Sequence, residues 1–325
     1  MTDVLHLTDD LRAGGVMTNV RSMKTFDQEL GVNQRVTEVN PDSVLAARTF
    51  HADIIIVHFS LAWRKLPFLV ALRALNRNTL LVLQEHHYSP EHFENDTDAL
   101  KRFGLLVRSS FRLFDRVLAV SSAQARWYEE LGSTPTATAP PIANLDHLLE
   151  LPGKTKTSHT VVGVSGRLEK TKGIDLLLAA IHNNTDRCIH FLIAGDGELR
   201  NAVEKTTGAY ENVSYFGSYE HPAEFLSRCD QIAIPSRLDT FGLSALEAKA
   251  AGKPIVVTET CGLTEQAKNC GVVVERNCPE SLLRGISQLK GANKDGELGR
   301  NARSSAKNHN TNSLEIWLQQ LQQQR

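Results

Sequence analysis

The sequence has no CxxC pair and an odd number of cysteines, five in 325 residues: Cys188, Cys229, Cys261, Cys270 and Cys278. That pattern argues against a disulfide framework and offers no zinc-type ligand spacing, so buried, reduced thiols are expected. An excess of charge of one sign is also lacking. Lys and Arg number 36, Asp and Glu 37, for a formal net charge of −1. Bulk charge therefore does not hold a nucleic acid, and any polyanion has to meet a local patch. No apolar run approaches the roughly 20 residues that span a bilayer. The start, MTDVLHLTDDLRAGG, has no basic segment leading into an apolar one, so no secretory signal is expected and a cytoplasmic site of action is. No close internal repeat suggests a solenoid.

What is present is a globular composition, 41% hydrophobic and 22% charged, long enough for two ordinary domains. Short apolar runs alternate with helical periods. Strands are expected over 4–7, 35–39, 53–58, 79–83 and 117–120, with helices over 17–30 and 122–131 among them. This is the βαβ rhythm of a parallel sheet covered on both faces. The stretch APPIANLDHLLELPGKTKTSH interrupts it, and Pro140, Pro141, Pro152 and the polar run 154–159 read as an inter-domain connection. The rhythm then restarts. Strands are expected over 160–164, 190–194, 213–216, 231–234, 254–257 and 272–274, and helices over 172–183, 198–206, 222–228, 244–251 and 279–289. The reading is α/β, with two Rossmann-like domains over 1–150 and 151–310. The last segment, 311–325, is an amphipathic helix whose Leu314, Trp317, Leu318 and Leu321 must pack on something, either closing the second domain or crossing back to the first.

Ligands of parallel α/β sheets bind where strands end and helices begin, and four such junctions stand out. In LHLTDDLRAGGVMTNV, the pair Gly14-Gly15 precedes a helix, where paired glycines admit an anion to backbone N–H groups; an ordinary tight loop explains them equally. In VVGVSGRLEKTKGIDLLLAAI, Arg167 and Lys172 flank a helix start, which suits a diphosphate better than a chance surface pair. HFLIAGDGELR holds Gly195-Asp196-Gly197, a weak signal in which Asp196 caps the helix that follows. In PSRLDTFGLSALEAKAAG, Ser244 and Glu247 have capping-box spacing and Gly252 serves as the helix stop. That reading leaves Asp239, Phe241 and Gly242 unexplained.

Together these segments resemble the GT-B glycosyltransferases, specifically the retaining family 4, or group 1, transferases. The matching pieces are GRLEKTKG, IAGDGELR, VSYFG and PSRLDTFGLSALEAKAAGKPIVVTETCGLTE, in family order, with Asp239 and Glu247 separated by seven residues as in the family's donor signature. The first half matches more weakly, through Gly14-Gly15, DIIIVH, EHHYS and LAVSSAQ. The resemblance implies two domains with sheets facing a central cleft, the first for an acceptor and the second for a nucleotide-sugar donor. Arg167 and Lys172 would bind the diphosphate and Glu247 the ribose hydroxyls. Backbone N–H groups around Phe241, Gly242 and Leu243, with Ser244 at the helix start, would meet sugar or phosphate. Asp239 would contact the donor sugar; the family usually has glutamate there, so this sequence departs by one methylene. Of His86 and His87 in LVLQEHHYSPE, His86 is favoured as the histidine that touches the donor sugar.

The implied chemistry is front-face transfer with retention, in which fixed cations and helix N-termini stabilise the leaving diphosphate. No cofactor or metal is then required. The DTD at 96–98 imitates a metal motif but precedes a helical run, where a helix cap is the better reading. UDP is the default donor nucleotide, GDP the next, and the acceptor is a glycan or lipid-linked. Arg102, Arg108, Arg112 and Arg116 accompany a run of apolar residues in LKRFGLLVRSSFRLFDR, either as the basic face of a helix lying on an anionic membrane or as the wet side of an ordinary domain helix. A nucleotide-sugar 2-epimerase and a non-catalytic nucleotide-sugar-binding module remain as other readings. An assay with donor alone separates them.

Overall fold

The computed structural model describes residues 1–11, 14–152, 159–293 and 296–322. The part of the expected connection over 154–158 lies outside the described residues. The chain forms two compact units, one of Met1–Ala143 with Asn310–Arg325 and one of Asn144–His309.

In the first unit the strands are β1 (Thr2–Thr8), β2 (Val32–Glu38), β3 (Ile54–Val57), β4 (Leu80–Glu85), β5 (Arg116–Ala119) and β6 (Ala137–Thr138). They form one parallel sheet in the order β2-β1-β3-β4-β5-β6. β3 is the fully buried run Ile54–Val57, as apolar as a strand covered on both faces has to be. One face packs on a core around Leu5, Val57, Phe68, Leu83, Phe103 and Trp127. The other packs on Val4, Met23, Ile56, Val82 and Leu118. The final helix, His309–Gln322, joins this second core through the fully buried Trp317, with Leu314, Leu318 and Leu321 beside it.

The second unit repeats the plan with β7 (Thr160–Ser165), β8 (Ile189–Ala194), β9 (Val213–Gly217), β10 (Gln231–Ile234), β11 (Ile255–Thr258) and β12 (Gly271–Val274). Their order is β12-β11-β10-β7-β8-β9, again all parallel. The order reverses between β7 and β10, and the crevice beyond the carboxyl ends of strands at such a reversal is where α/β sheets take ligands.

Several expected elements shift. The helix expected over 17–30 is two, Gly15–Lys24 and Asp27–Leu30. Between them the Thr25 hydroxyl bonds back to the Ser22 carbonyl at 2.7 Å, giving the backbone a local alternative to continuing the helix. The strand expected from 35 starts three residues earlier, at Val32. Cys229, Cys261 and Cys270 are buried, but Cys188 is exposed, in the loop before β8, and Cys278 is partly so.

Candidate active site

The loops after β7 and β10 bring the sequence-marked residues of the second unit together. After β7 the chain makes a short turn, Lys170–Lys172, closed by Gly173 in the left-handed region at φ 67°. A Cβ on Gly173 would lie 1.9 Å from the Pro235 carbonyl oxygen, so only glycine lets this turn approach the loop after β10. Arg237 ties the same two loops. Its guanidinium makes a two-bond fork with Asp175 at 2.6 and 3.0 Å, reaches Asn277 at 2.6 Å and bonds the Lys170 carbonyl. Its backbone N–H donates to the Thr171 carbonyl at 2.9 Å. Nothing in the sequence pattern singles out Arg237, because its partners Asp175 and Asn277 lie far from it along the chain.

This staple sets Lys172 Nζ 3.0 Å from Asp239 Oδ2. The carboxylate is largely shielded while the ammonium is about a third open to solvent. Asp239 is therefore fixed by the lysine, and the lysine still faces outward. Asp239 is held from the other side by the Gly262 N–H, which donates to its carbonyl at 3.0 Å. Gly262 lies in the first turn of a short helix, so close to Thr240 and Phe241 that a Cβ would sit 2.3 Å from their backbone.

The helix Leu243–Ala250 starts one residue earlier than expected. Gly242 is its N-cap, in the left-handed region at φ 90°, and no side chain caps it. The Ser244–Glu247 capping box is not formed, because Ser244 occupies the second helical position and Glu247 the fifth, beyond reach of the cap N–H. The Phe241 side chain is buried, and its N–H leans toward Asp239 Oδ1 at 3.4 Å. No acceptor among the described residues takes the N–H groups of Gly242, Leu243 or Ser244. They supply the positive end of a helix dipole.

Glu247 is half-buried, and no hydrogen bond or ion pair among the described residues reaches its carboxylate. Burial alone pushes its carboxyl up to about 7. Tyr219, another residue the sequence does not flag, has its phenol raised by burial first, with Ser165 at the end of β7 opposing and the nearby Glu247 charge adding to the rise.

Arg167 is exposed and pairs with Glu169 at 2.9 Å, while Glu169 also holds the Thr171 hydroxyl. It is not part of the Lys172–Asp239 pair. Gly195 and Gly197 serve packing: a Cβ on Gly195 would meet the Gly166 carbonyl oxygen at 1.8 Å, and one on Gly197 the Leu168 backbone at 2.7 Å. Asp196 does not cap the next helix, which begins at Arg200 with Leu199 as its N-cap. Its carboxylate instead accepts from the Gly197 N–H at 2.9 Å.

In the first unit Gly15 opens the helix after β1 and Gly14 is its N-cap, with extended backbone and open space where a Cβ would go. His86 follows β4. Its Nε2 faces His58 Nδ1 at 3.1 Å, whereas His87 turns to Glu85, its N–H donating to the carboxylate at 2.6 Å. Asp96 caps the helix Thr97–Phe111 through the Ala99 N–H at 2.8 Å, as read from the DTD. That helix buries Phe103, Leu106, Val107 and Phe111 in the core, so its apolar face is not available to a bilayer. Arg102, Arg108 and Arg112 are exposed. Arg116 is not with them: it starts β5 and is buried, because the helix ends at Phe111 and the chain turns into the sheet.

Residues 152–309 match the sequence profile of the family described as glycosyl transferases group 1. An uncharacterized glycosyltransferase of Methanocaldococcus jannaschii is 31% identical over 130 residues, 38% of this chain and 36% of that protein. The D-inositol 3-phosphate glycosyltransferase of Jonesia denitrificans is 30% identical over 166 residues, 46% of this chain and 38% of the relative. The chain thus spans little more than a third of the length of these curated relatives. Among solved structures, the Anabaena protein HepE in complex with UDP and glucose aligns over 100% of both chains with a TM-score of 0.74 at 18% identity, a likeness of fold. Residues 152–309 are therefore similar to the group 1 glycosyl transferases, in a chain whose two parallel α/β sheets have the GT-B fold.

Proposed function

We propose that the chain is a retaining glycosyltransferase of family 4 that moves a sugar from a nucleoside diphosphate sugar, UDP-linked first and GDP-linked next, to a glycan or lipid-linked acceptor. The setting that suits it is cell-surface polysaccharide, lipopolysaccharide or glycolipid synthesis at the cytoplasmic face. The observation that carries this is the Lys172–Asp239 pair at the strand-order reversal, beside the Leu243–Ala250 helix start and the unpartnered Glu247. The named function of the Jonesia relative and the UDP and glucose held by HepE support it.

Each group has a role. Lys172 and the N–H groups of Gly242, Leu243 and Ser244 offset the charge that develops on the leaving diphosphate, with Arg167 on the rim. Glu247, when ionised, accepts from the ribose hydroxyls. Asp239 meets a donor-sugar hydroxyl with the oxygen not committed to Lys172. Being one methylene shorter than glutamate, it is set by the lysine rather than by its own reach. His86 and the Gly14-Gly15 loop line the first unit's strand edge. The exposed Arg102, Arg108 and Arg112 give electrostatic contact with an anionic membrane surface. No metal is needed, since fixed cations and dipoles do its work.

Asp239→Asn separates binding from transfer. It frees Lys172 from its counter-ion, so UDP should bind as tightly as to the native protein or more tightly. Turnover of the donor should fall about 100-fold, the scale on which one transition-state contact is lost. Titration calorimetry with UDP and donor turnover with and without EDTA test this. Unchanged turnover in Asp239→Asn overturns the sugar contact, and activity lost to EDTA and restored by manganese overturns metal independence.

A further inference from the structure

The strand order of the first sheet reverses between β1 and β3, because β2 lies on one side of β1 and the later strands on the other. A cavity of about 400 Å³ opens at the carboxyl ends of these strands. Its walls are Asp9, just past β1; Glu38 at the end of β2, with residues 39–42 after it; and Arg64 and Lys65, in the turn Trp63–Lys65 that follows β3. The volume falls within the roughly 300–1,000 Å³ of small-molecule sites. The place is the one where open α/β sheets take ligands.

A lysine–aspartate pair spans this reversal as one does in the second unit, but with the exposures exchanged. Lys65 Nζ lies 2.8 Å from Asp9 Oδ2. The Lys65 side chain is 4% exposed and that of Asp9 34%, whereas Lys172 is 31% exposed and Asp239 12%. Lys65 is fully engaged: it also donates to Ser60 Oγ at 3.1 Å and lies 5.4 Å from the centre of the Phe59 ring. The ammonium is thus withdrawn and the carboxylate is the outward member. The Asp9 Oδ1 meets no donor among the described residues. Arg64 is offset as well, its Nε donating to Asp42 Oδ1 at 2.8 Å. Glu38 is exposed, and no hydrogen bond or ion pair among the described residues reaches its carboxylate. The Asn40 amide oxygen accepts from the Asp42 N–H at 3.1 Å, which leaves the amide nitrogen as a donor. With both cations paired, Glu38 gives the walls a negative excess. The first unit's reversal therefore offers acceptors for hydrogen bonds, and the second unit's offers an outward cation.

We infer that this cavity is a subsite for an uncharged sugar unit, whose hydroxyls donate to Asp9, Glu38 and Asp42 and accept from the Asn40 amide and Arg64. A hydroxyl both donates and accepts, so vicinal hydroxyls match walls that carry both kinds of group. A phosphate dianion only accepts, and it meets a negative excess here. That the sugar is the acceptor of transfer rests on the transferase reading; the preference for hydroxyls over anions does not. Saturation-transfer NMR on the full chain tests it, with the methyl glycosides of glucose, galactose, mannose and N-acetylglucosamine and a phosphate monoester of each. At least one neutral glycoside should bind, and about 10-fold more tightly than its own phosphate ester, the scale of one unfavourable charge contact. Glu38→Gln keeps the shape and removes the charge. It should weaken that glycoside about 10-fold, as the loss of a hydrogen bond to a charged group does, and leave the phosphate ester no weaker. Glu38 is exposed and unpaired, so the variant should unfold at the native temperature; if it does not, Asn40→Ala, which removes the amide donor, should weaken the glycoside instead. Failure of every glycoside to bind at millimolar concentration overturns the subsite. So does a phosphate ester that binds as well as its parent, or a glycoside affinity left unchanged by both variants. UDP titrated into the native sample reads the second unit separately. Absence of UDP binding counts against the transferase reading while the glycoside preference stands.

Discussion

Replacing Glu247 by glutamine should make the unliganded protein more stable above pH 7 and a weaker binder of nucleotide. The ordinary value for this carboxyl is 4.5, and burial without a partner pushes it up to about 7 in the folded chain. Between those values the folded state holds a proton that the unfolded chain has released. Stability therefore falls as pH rises through this window, and the loss is complete above about pH 7. The full shift corresponds to roughly 3 kcal/mol, and partial exposure of Glu247 trims it to about 2 kcal/mol. Glutamine has no charge to bury, so the variant should gain about that much at pH 8 and nothing below pH 4. The proposed ribose contact moves oppositely. Losing hydrogen bonds to an ionised carboxylate costs about 1.5–3 kcal/mol, a rise of roughly 10- to 100-fold in the dissociation constant for UDP. Urea unfolding at pH 4 and pH 8 and calorimetric titration at pH 8 read both effects. A carboxylate kept at a stability cost, for a ligand, explains the two together. A variant that loses stability at pH 8 would show that Glu247 is a structural acid.

Gly173→Ala should be among the most damaging single substitutions in the second unit. The alanine would adopt a left-handed backbone at a cost of about 1–2 kcal/mol, and its Cβ would lie 1.9 Å from a main-chain oxygen of Pro235. That oxygen cannot swing away as a flexible side chain would, because the loop behind it is clamped by Arg237. Crowding of this kind costs about 1–3 kcal/mol more, so a total near 4 kcal/mol is expected against the roughly 5–15 kcal/mol that holds a typical domain. Gly208→Ala is the control. It lies in the helix Arg200–Ala209 with nothing within 4 Å of where the added methyl would sit, and alanine there should stabilise by about 0.5–1 kcal/mol. Thermal unfolding of the pair checks the contrast. Equal midpoints would mean that the Lys172 turn is not held by its approach to Pro235.

Much of this architecture is legible in the sequence because buried parallel strands must be apolar. The runs at 54–57, 117–119, 231–234 and 255–257 read as buried strands, and the acid spacing from Asp239 to Glu247 marks the loop and helix start that follow β10. Polar residues with structural roles are what the pattern conceals. Asn33 and Gln34 hide the start of β2, yet Gln34 is polar because its amide oxygen meets the buried His6 Nε2 at 2.7 Å. His6 and His58 read as ordinary strand residues, since only the sheet order makes them neighbours. Arg237 gives no signal for the same reason. The capping-box spacing at Ser244 and Glu247 misleads by two residues: Gly242, through its left-handed backbone, is the N-cap in place of Ser244 and moves Glu247 out of capping range. Charge groups Arg116 with the basic helix, although the strand rhythm already claims the residue after it.

Whether the loops after β7 and β10 hold a nucleoside diphosphate sugar is decided most directly by one calorimetric titration. The native protein, Lys172→Ala and Glu247→Ala are each titrated with UDP, GDP and their glucose and mannose conjugates. Saturable binding of at least one series to the native protein is expected, with affinity reduced at least 10-fold in each variant, a loss of about 1.4 kcal/mol or more. Native protein that binds none of these ligands at millimolar concentration, or binding left intact in both variants, would contradict it.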